Sequence, residues 1–148
     1  MASHAVIRVA IHDDLAGVLE LYKFLNPKDP IPDDTKVSRA WRELLDSKCT
    51  TIFVAEHENT LVATCTLIMI PNLTRGARPY AIIENVVTHS AHRRTGFGRA
   101  VMQAALKTAR EQDCYKVMLA SGRPDAVAFY ESVGLKRSGK NFFEARKE

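Results

Sequence analysis

A basic turn with two glycines and a carboxylate inside an apolar strand are where this chain could do chemistry. The turn is His92-Arg93-Arg94-Thr95-Gly96-Phe97-Gly98. It follows the strand-like Val86-Val87-Thr88 and leads into residues of helical pattern. The first amides of a helix have no intrahelical acceptor, and the aligned peptide dipoles add partial positive charge there. Glycines at 96 and 98 let a bulky anion approach the backbone. The turn therefore reads as a phosphate cradle. The plain alternative is a solvated strand-to-helix loop that happens to be basic. Two common nucleotide patterns do not fit. No Lys-Ser/Thr follows a glycine loop, and the Gly-x-Gly lacks both the third glycine and an acidic residue at the right distance.

Glu84 and Asn85 interrupt the apolar run Tyr80–Thr88. A carboxylate buried without a partner is costly, so Glu84 needs a reason to be there. It reads equally as a proton acceptor and as a structural or substrate-binding carboxylate, paired with an arginine of Thr74-Arg75-Gly76-Ala77-Arg78.

The surrounding elements follow from pattern. Ala5–Ala10 is a short strand. Asp13 and Asp14 supply cap and first-turn charge for a helix with Leu15, Val18, Leu19, Tyr22 and Leu25 at helical spacing, ended by Asn26-Pro27. Asp33 and Asp34 cap a second helix that runs to about Ser47 and carries Val37, Trp41, Leu44 and Leu45 on one face. Thr50–Glu56 is a strand, Glu58-Asn59 a hairpin turn, and Thr60–Ile70 a strand apolar enough to be covered on both sides. Tyr80–Thr88 is the central strand. A helix runs from about Gly96 to Gln112, and Tyr115–Ala120 is a further strand. Pro124 and Asp125 open a last helix, closed by Gly134 as a left-handed cap. Lys136–Ser138 and Asn141–Ala145 add one or two short strands. The order β-α-α-β-β-β-α-β-α-β predicts a three-layer α/β fold.

Length and composition bound the function. A chain of 148 residues fits one domain, taken here as residues 1–148. It is 46% hydrophobic and 26% charged, as in water-soluble globular proteins. No apolar run approaches the roughly 20 residues that span a bilayer, and the N-terminus lacks the pattern of a secretory signal. A cytoplasmic protein with no membrane partner is expected. The net charge of +4 suits an anionic ligand but is too small to argue for nucleic acid. Cys49, Cys65 and Cys114 are odd in number and lack metal-ligand spacing, as do the five histidines, so no metal is expected.

The run Val86-Val87-Thr88, then Arg93-x-x-Gly96-x-Gly98 and a helix, resembles the acetyl-CoA signature of the GNAT family of N-acetyltransferases. Ala126-Val-Ala-Phe-Tyr130-Glu-Ser-Val-Gly134-Leu135 resembles the same family's next motif. The specific match runs from Ile82 to Leu135. The resemblance implies a central mixed, mostly antiparallel sheet with helices on both faces, splayed at the cofactor site by a bulge near Glu84-Asn85. It implies that the backbone of Val86, Val87 and Thr88 pairs with the pantetheine arm of acetyl-CoA. It further implies that Arg93, Arg94, Thr95, Gly96, Phe97, Gly98 and Arg99 hold the pyrophosphate.

The implied chemistry is direct acetyl transfer to a primary amine of a small molecule. An amine with a pKa of about 10 must first lose a proton. Glu84 is then the best-placed base, and Tyr130 matches the family tyrosine that protonates the departing thiolate; a half-buried core aromatic is its plain alternative. Glu84, Asn85, Arg75 and Arg78 are the candidate substrate residues, and Arg123 adds to the positive charge. Ile82-Ile-Glu-Asn-Val-Val with Cys114-Tyr-Lys-Val-Met-Leu resembles the glucosamine-6-phosphate N-acetyltransferases. Those enzymes carry Glu-Asp at the position of Glu84-Asn85 and an asparagine at that of Ala126, so the aminosugar phosphate is not carried over. The resemblance also implies a homodimer. The competing classes are a catalytically silent CoA-binding regulatory domain and a basic nucleic-acid-binding module. Against the latter, no base-stacking aromatics interleave with the arginines.

Overall fold

The computed structural model describes residues 4–147. Residues 1–3 and 148, part of the single 1–148 domain read from the sequence, lie outside the described residues. The chain divides into two compact units that meet in sequence at Met118 and Leu119.

The first unit holds a five-stranded sheet in the order β1-β2-β3-β4-β5: β1 (Val6–Val9), β2 (Thr50–His57), β3 (Thr60–Ile70), β4 (Tyr80–Thr88) and β5 (Val117–Met118). The first three pairings are antiparallel, and β5 joins β4 in parallel. The longer helices of this unit are α1 (Leu15–Leu25), α2 (Asp34–Asp46) and α3 (Phe97–Glu111); short turns lie at His12–Asp14, Thr74–Ala77 and Ser90–His92. The sheet alternation decides which helix covers which face. Ile52 and Val54 pack with Val18 of α1 and Trp41 of α2, whereas Phe53 pairs across the sheet with Cys65, whose thiol lies 3.4 Å from the Val101 carbonyl of α3. Both faces are therefore covered, which is why Val62 to Leu67 are all buried.

The local signals act as their chemistry requires. Glu58 and Asn59 both have positive φ, 50° and 62°, and form the two-residue turn between β2 and β3. The Asp33 side chain accepts the Lys36 amide at 3.0 Å and starts α2.

Asp14 departs from expectation. It stands at the N-cap of α1 as expected, but its side chain makes no capping bond there; its carboxylate turns back to accept two hydrogen bonds from Arg8, at 2.7 and 2.9 Å, and one from the Ile11 amide at 2.7 Å. Arg8 also donates to Glu56 of β2 at 2.8 and 3.1 Å. The hydrogen bonds and charge of Arg8 hold the Asp14 carboxyl below its usual range. A depressed carboxylate contributes stability above that range and loses it as pH falls through the folded value. Asp14→Asn is expected to lose about 2 kcal/mol at pH 7 in urea unfolding. The difference from wild type should shrink below about pH 4 and vanish near pH 2. A deficit constant down to pH 2 would show that Asp14 acts through packing instead.

Three strands differ from the sequence reading. The expected strand Tyr115–Ala120 is reduced to Val117–Met118, because only Ala81 and Ile82 of β4 stand in register with it. Neither Lys136–Ser138 nor Asn141–Ala145 forms a strand. Phe142 and Phe143 are the apolar content of the second stretch, and both are exposed. Consecutive rings would point to opposite faces of a strand, so one-sided burial cannot take both.

The second unit contains a 3-10 turn, Pro124–Ala126, and the helix α4 (Val127–Ser132). Gly134 has φ 101°, its amide donates to Glu131 O, and the Leu135 amide donates to Tyr130 O. These two bonds form a Schellman motif, so Gly134 ends the helix as its left-handed cap.

Candidate functional site

The site begins at an irregularity in β4. Thr66 pairs with Glu84 and Thr64 pairs with Val87, so Asn85 and Val86 together stand opposite the single residue Cys65. Asn85 is the bulged residue, with φ 52°, a region that asparagine tolerates better than most side chains. The bulge turns both Glu84 and Asn85 outward, and both are exposed. Glu84 is therefore not the buried carboxylate that a regular strand would make it. On its other edge, β4 is in register with β5 only through Ile82. From Ile83 to Thr88 that edge pairs with no other strand among the described residues. Pairing between β4 and β5 thus stops beside the bulge, where the sequence reading expected the splay.

A tight loop joins this edge to α3. The His89 amide donates to Val62 O, and the His89 Nδ1 accepts the Ala91 amide at 3.0 Å, starting the 3-10 turn Ser90–His92. Arg94 has φ 62°, and the Thr95 hydroxyl donates to the His92 carbonyl. Gly96, with φ 88°, is the N-cap of α3 and supplies no side chain. The first helical bond is Ala100 N–H to Gly96 O, so the amides of Phe97 and Gly98 precede the helical ladder. No acidic residue stands in this first turn, and Arg93, Arg94 and Arg99 are exposed around it. A helix N-terminus with a left-handed glycine, no acidic residue and exposed arginines has the charge and backbone geometry that suit an anion.

The cradle and the open strand edge are separated by only the loop from His89 to Gly96. Residues 15–135 match the pattern that defines the Acetyltransferase (GNAT) family. The chain belongs to the GNAT family. It is 29% identical over 130 residues to a glucosamine 6-phosphate N-acetyltransferase of Trypanosoma brucei brucei, covering 88% of each chain. A putative acetyltransferase from Agrobacterium tumefaciens superposes with a TM-score of 0.91 and 47% identity, covering 96% of this chain and 99% of that one. An aminoglycoside N-acetyltransferase solved in complex with CoA shares the fold, with a TM-score of 0.80, 16% identity and coverage of 99% and 97%.

Within this GNAT fold, the remaining candidate residues fall in different places. Val87 is buried, and Val86 and Thr88 are half-buried, all on the open stretch of β4. Phe97 is 2% exposed, its ring 5.3 Å from that of His57 and 5.7 Å from that of His92, so only its backbone faces the turn's ligand side. Arg78 forms an ion pair with Asp113 at 3.1 Å, and the Arg75 guanidinium lies over the Tyr115 ring at 5.6 Å. Asp113 follows the C-terminus of α3, a 15-residue helix about 22 Å long, so Arg78 sits at the end away from the cradle. The structure does not bring Arg75 and Arg78 to the bulge. Tyr130, in the second unit, is half-buried on the short helix α4, its ring 5.3 Å from that of Phe129. Arg123 is 3.2 Å from Asp125.

Two features escaped the sequence reading. A run of rings under the cradle joins Phe24, His89, His92, His57 and Phe97 at centroid distances of 4.5 to 5.8 Å. His89 and His92 flank the turn in sequence, which was the available signal; His57 comes from a distant strand and gave none. The second is Tyr22 of α1, whose ring packs against the cluster of Val18, Trp41, Ile52 and Val54 and whose phenol pKa is pushed up by burial. Its helical spacing marked it only as a core position.

Proposed function

We propose that the protein transfers the acetyl group of acetyl-CoA to a primary amine of a small molecule, and that residues 1–148 act as one acetyltransferase domain. The observation that carries this reading is the juxtaposition of the open β4 edge with the uncapped, arginine-flanked start of α3. An extended, amide-bearing arm ending in a pyrophosphate is the ligand shape that fits both. The backbone of Val86, Val87 and Thr88 pairs with the arm. The amides from Arg94 to Arg99 hold the phosphates, with Arg93, Arg94 and Arg99 adding charge.

The reaction needs no covalent enzyme intermediate. The ammonium gives its proton to Glu84, directly or through a water, and the free amine attacks the thioester carbonyl. A backbone amide at the bulge stabilises the oxyanion. The tetrahedral intermediate collapses, the C–S bond breaks, and the thiolate takes the Tyr130 hydroxyl proton. The family membership, the exposed Glu84 at the bulge and the match of Tyr130 to the family motif support these roles. The acceptor reading stays at a small-molecule amine, because Asn85 and Ala126 replace the acidic residue and asparagine of the aminosugar-phosphate enzymes. We also read the protein as a cytoplasmic homodimer, the homodimer being supported by the family resemblance.

The test is a panel of primary amines, including aminosugar phosphates and aminoglycosides, with acetyl-CoA and detection of free thiol. Acetyl-CoA at 100 times its Kd should stabilise the fold by about 2.7 kcal/mol. For a chain of this size that raises Tm by roughly 5–10 °C. At least one amine should release CoA in proportion to acetylated product. Thermal protection without thiol release from any amine would instead make the protein a silent CoA-binding domain.

A further inference from the structure

His89 is the first residue after β4, and it bonds through its amide, its carbonyl and its ring. The amide donates to Val62 O of β3 at 2.8 Å, which ties the start of the loop to the sheet. The carbonyl accepts the His92 amide at 2.9 Å, and the ring Nδ1 accepts the Ala91 amide at 3.0 Å. An imidazole nitrogen that accepts carries no proton, so the ring hydrogen sits on Nε2. The ring is held in turn by its neighbours. Phe24 of α1 lies 4.5 Å from it, tilted by 53°, and His92 lies 5.5 Å from it, edge-on. The turn that His89 closes passes its geometry on. The His92 carbonyl accepts the Thr95 hydroxyl, and the His92 ring lies 5.7 Å from that of Phe97, the first residue of α3.

We infer that His89 is a positioning residue for the cofactor: its Nδ1 acceptor sets the Ser90–His92 turn, and through it the placement of Arg93, Arg94 and the start of α3 at the pyrophosphate. The consequence for the cofactor rests on the acetyltransferase reading. The loop needs such a support because its shape is not the one the chain relaxes into. Arg94 and Gly96 are both left-handed, at φ 62° and 88°, and arginine enters that region only at a cost. Ser90, Ala91 and residues 93–96 are exposed, so hydrogen bonds rather than packing must hold them. Without the Nδ1 acceptor the Ala91 amide turns to water, and the chain between β4 and α3 gains conformational freedom. That freedom is lost again when the pyrophosphate binds, which lowers affinity. Serine, threonine, asparagine and aspartate are the residues that usually accept the amide two positions on. The imidazole does the same here and also reaches Phe24 of α1.

Two substitutions in the intact chain separate the acceptor from the ring. His89→Phe keeps a ring against Phe24 and removes the acceptor. His89→Asn gives up the ring and supplies a side-chain oxygen placed to accept the same amide. Isothermal titration with acetyl-CoA should show Kd raised about fivefold in His89→Phe, the scale of one lost capping bond, and within about twofold of wild type in His89→Asn. A His89→Phe variant that binds like wild type overturns the inference. So does a His89→Asn variant that loses as much as His89→Phe, because the ring and not its acceptor would then set the loop. Hydrogen exchange at the Ala91 amide, followed by NMR on the ligand-free protein, should be faster in His89→Phe and close to wild type in His89→Asn. Unchanged exchange in His89→Phe removes the capping role whatever the affinity. If wild type itself does not bind acetyl-CoA, the acetyltransferase reading fails and the consequence for the cofactor falls with it, while Ala91 exchange still decides whether His89 sets the turn.

Discussion

Gly96→Glu is expected to weaken acetyl-CoA binding by two to three orders of magnitude while leaving the free protein folded. Gly96 is the N-cap of α3, and a Cβ built there meets no atom within 4 Å. A side chain therefore finds room, and the penalty is conformational. At φ 88° a non-glycine residue carries strain of about 1–2 kcal/mol. A carboxylate near the positive end of the helix dipole offsets about 0.3–1 kcal/mol of this. Tm should accordingly change by only a few degrees, about 2–4 °C per kcal/mol. Binding is a different matter. The new carboxylate occupies the amides proposed to hold the pyrophosphate and repels it. Two unit charges 4 Å apart at an effective dielectric of 20 interact by about 4 kcal/mol, which is roughly a thousandfold in Kd before screening. Gly96→Ala separates the contributions, since it adds strain without charge and should weaken binding about tenfold at most. The gap between the two variants should narrow in salt. Isothermal titration with acetyl-CoA measures all of this. A Gly96→Glu variant that binds like wild type would remove the α3 N-terminus from the cofactor site.

The elements with locally sufficient signals were legible from residues alone. β3 and β4 end where the sequence places them, because proline and polar clusters punctuate them. Gly134 caps α4 because no other residue type suits φ 101° so well. The β4 bulge was legible only through family resemblance, since nothing local in Glu84-Asn85 distinguishes an outward kink from a buried charged pair. Reading Glu84 as buried assumed regular alternation; the left-handed Asn85 breaks it and exposes two neighbours in succession. Asp14 looked like a helix cap because Arg8 and Glu56 are 48 positions apart and the pocket they form for it is a tertiary product. The length of β5 is likewise set by where β4 turns away, not by its own apolar run. Tyr22 shows the general limit. Periodicity places a ring on the core face of a helix, but only the packed fold says how deeply its hydroxyl is buried.

Tyr130→Phe is expected to lower kcat by about a hundredfold, the typical loss of a positioned general acid, with acetyl-CoA Kd within about threefold. The substitution removes one oxygen and keeps the ring, so packing against Phe129 at 5.3 Å is retained. The backbone at this position is fixed independently of the side chain. The Tyr130 carbonyl accepts the Leu135 amide in the Schellman motif, which sets where α4 ends. The backbone cap is therefore kept in the variant, and thermal melting checks that its fold is kept too. A thiolate leaves from the tetrahedral intermediate more readily when it is protonated as the C–S bond breaks. The sensitivity of the rate to that protonation depends on how basic the leaving thiolate is. A thioester of a more acidic thiol needs the acid less, so the ratio of wild-type to Tyr130→Phe rates should fall with such a donor. A ring that merely shaped the pocket would give a ratio independent of the leaving group. Equal loss of cofactor binding and turnover would remove Tyr130 from the acid role, because a group that acts only as the C–S bond breaks contributes nothing to ground-state affinity.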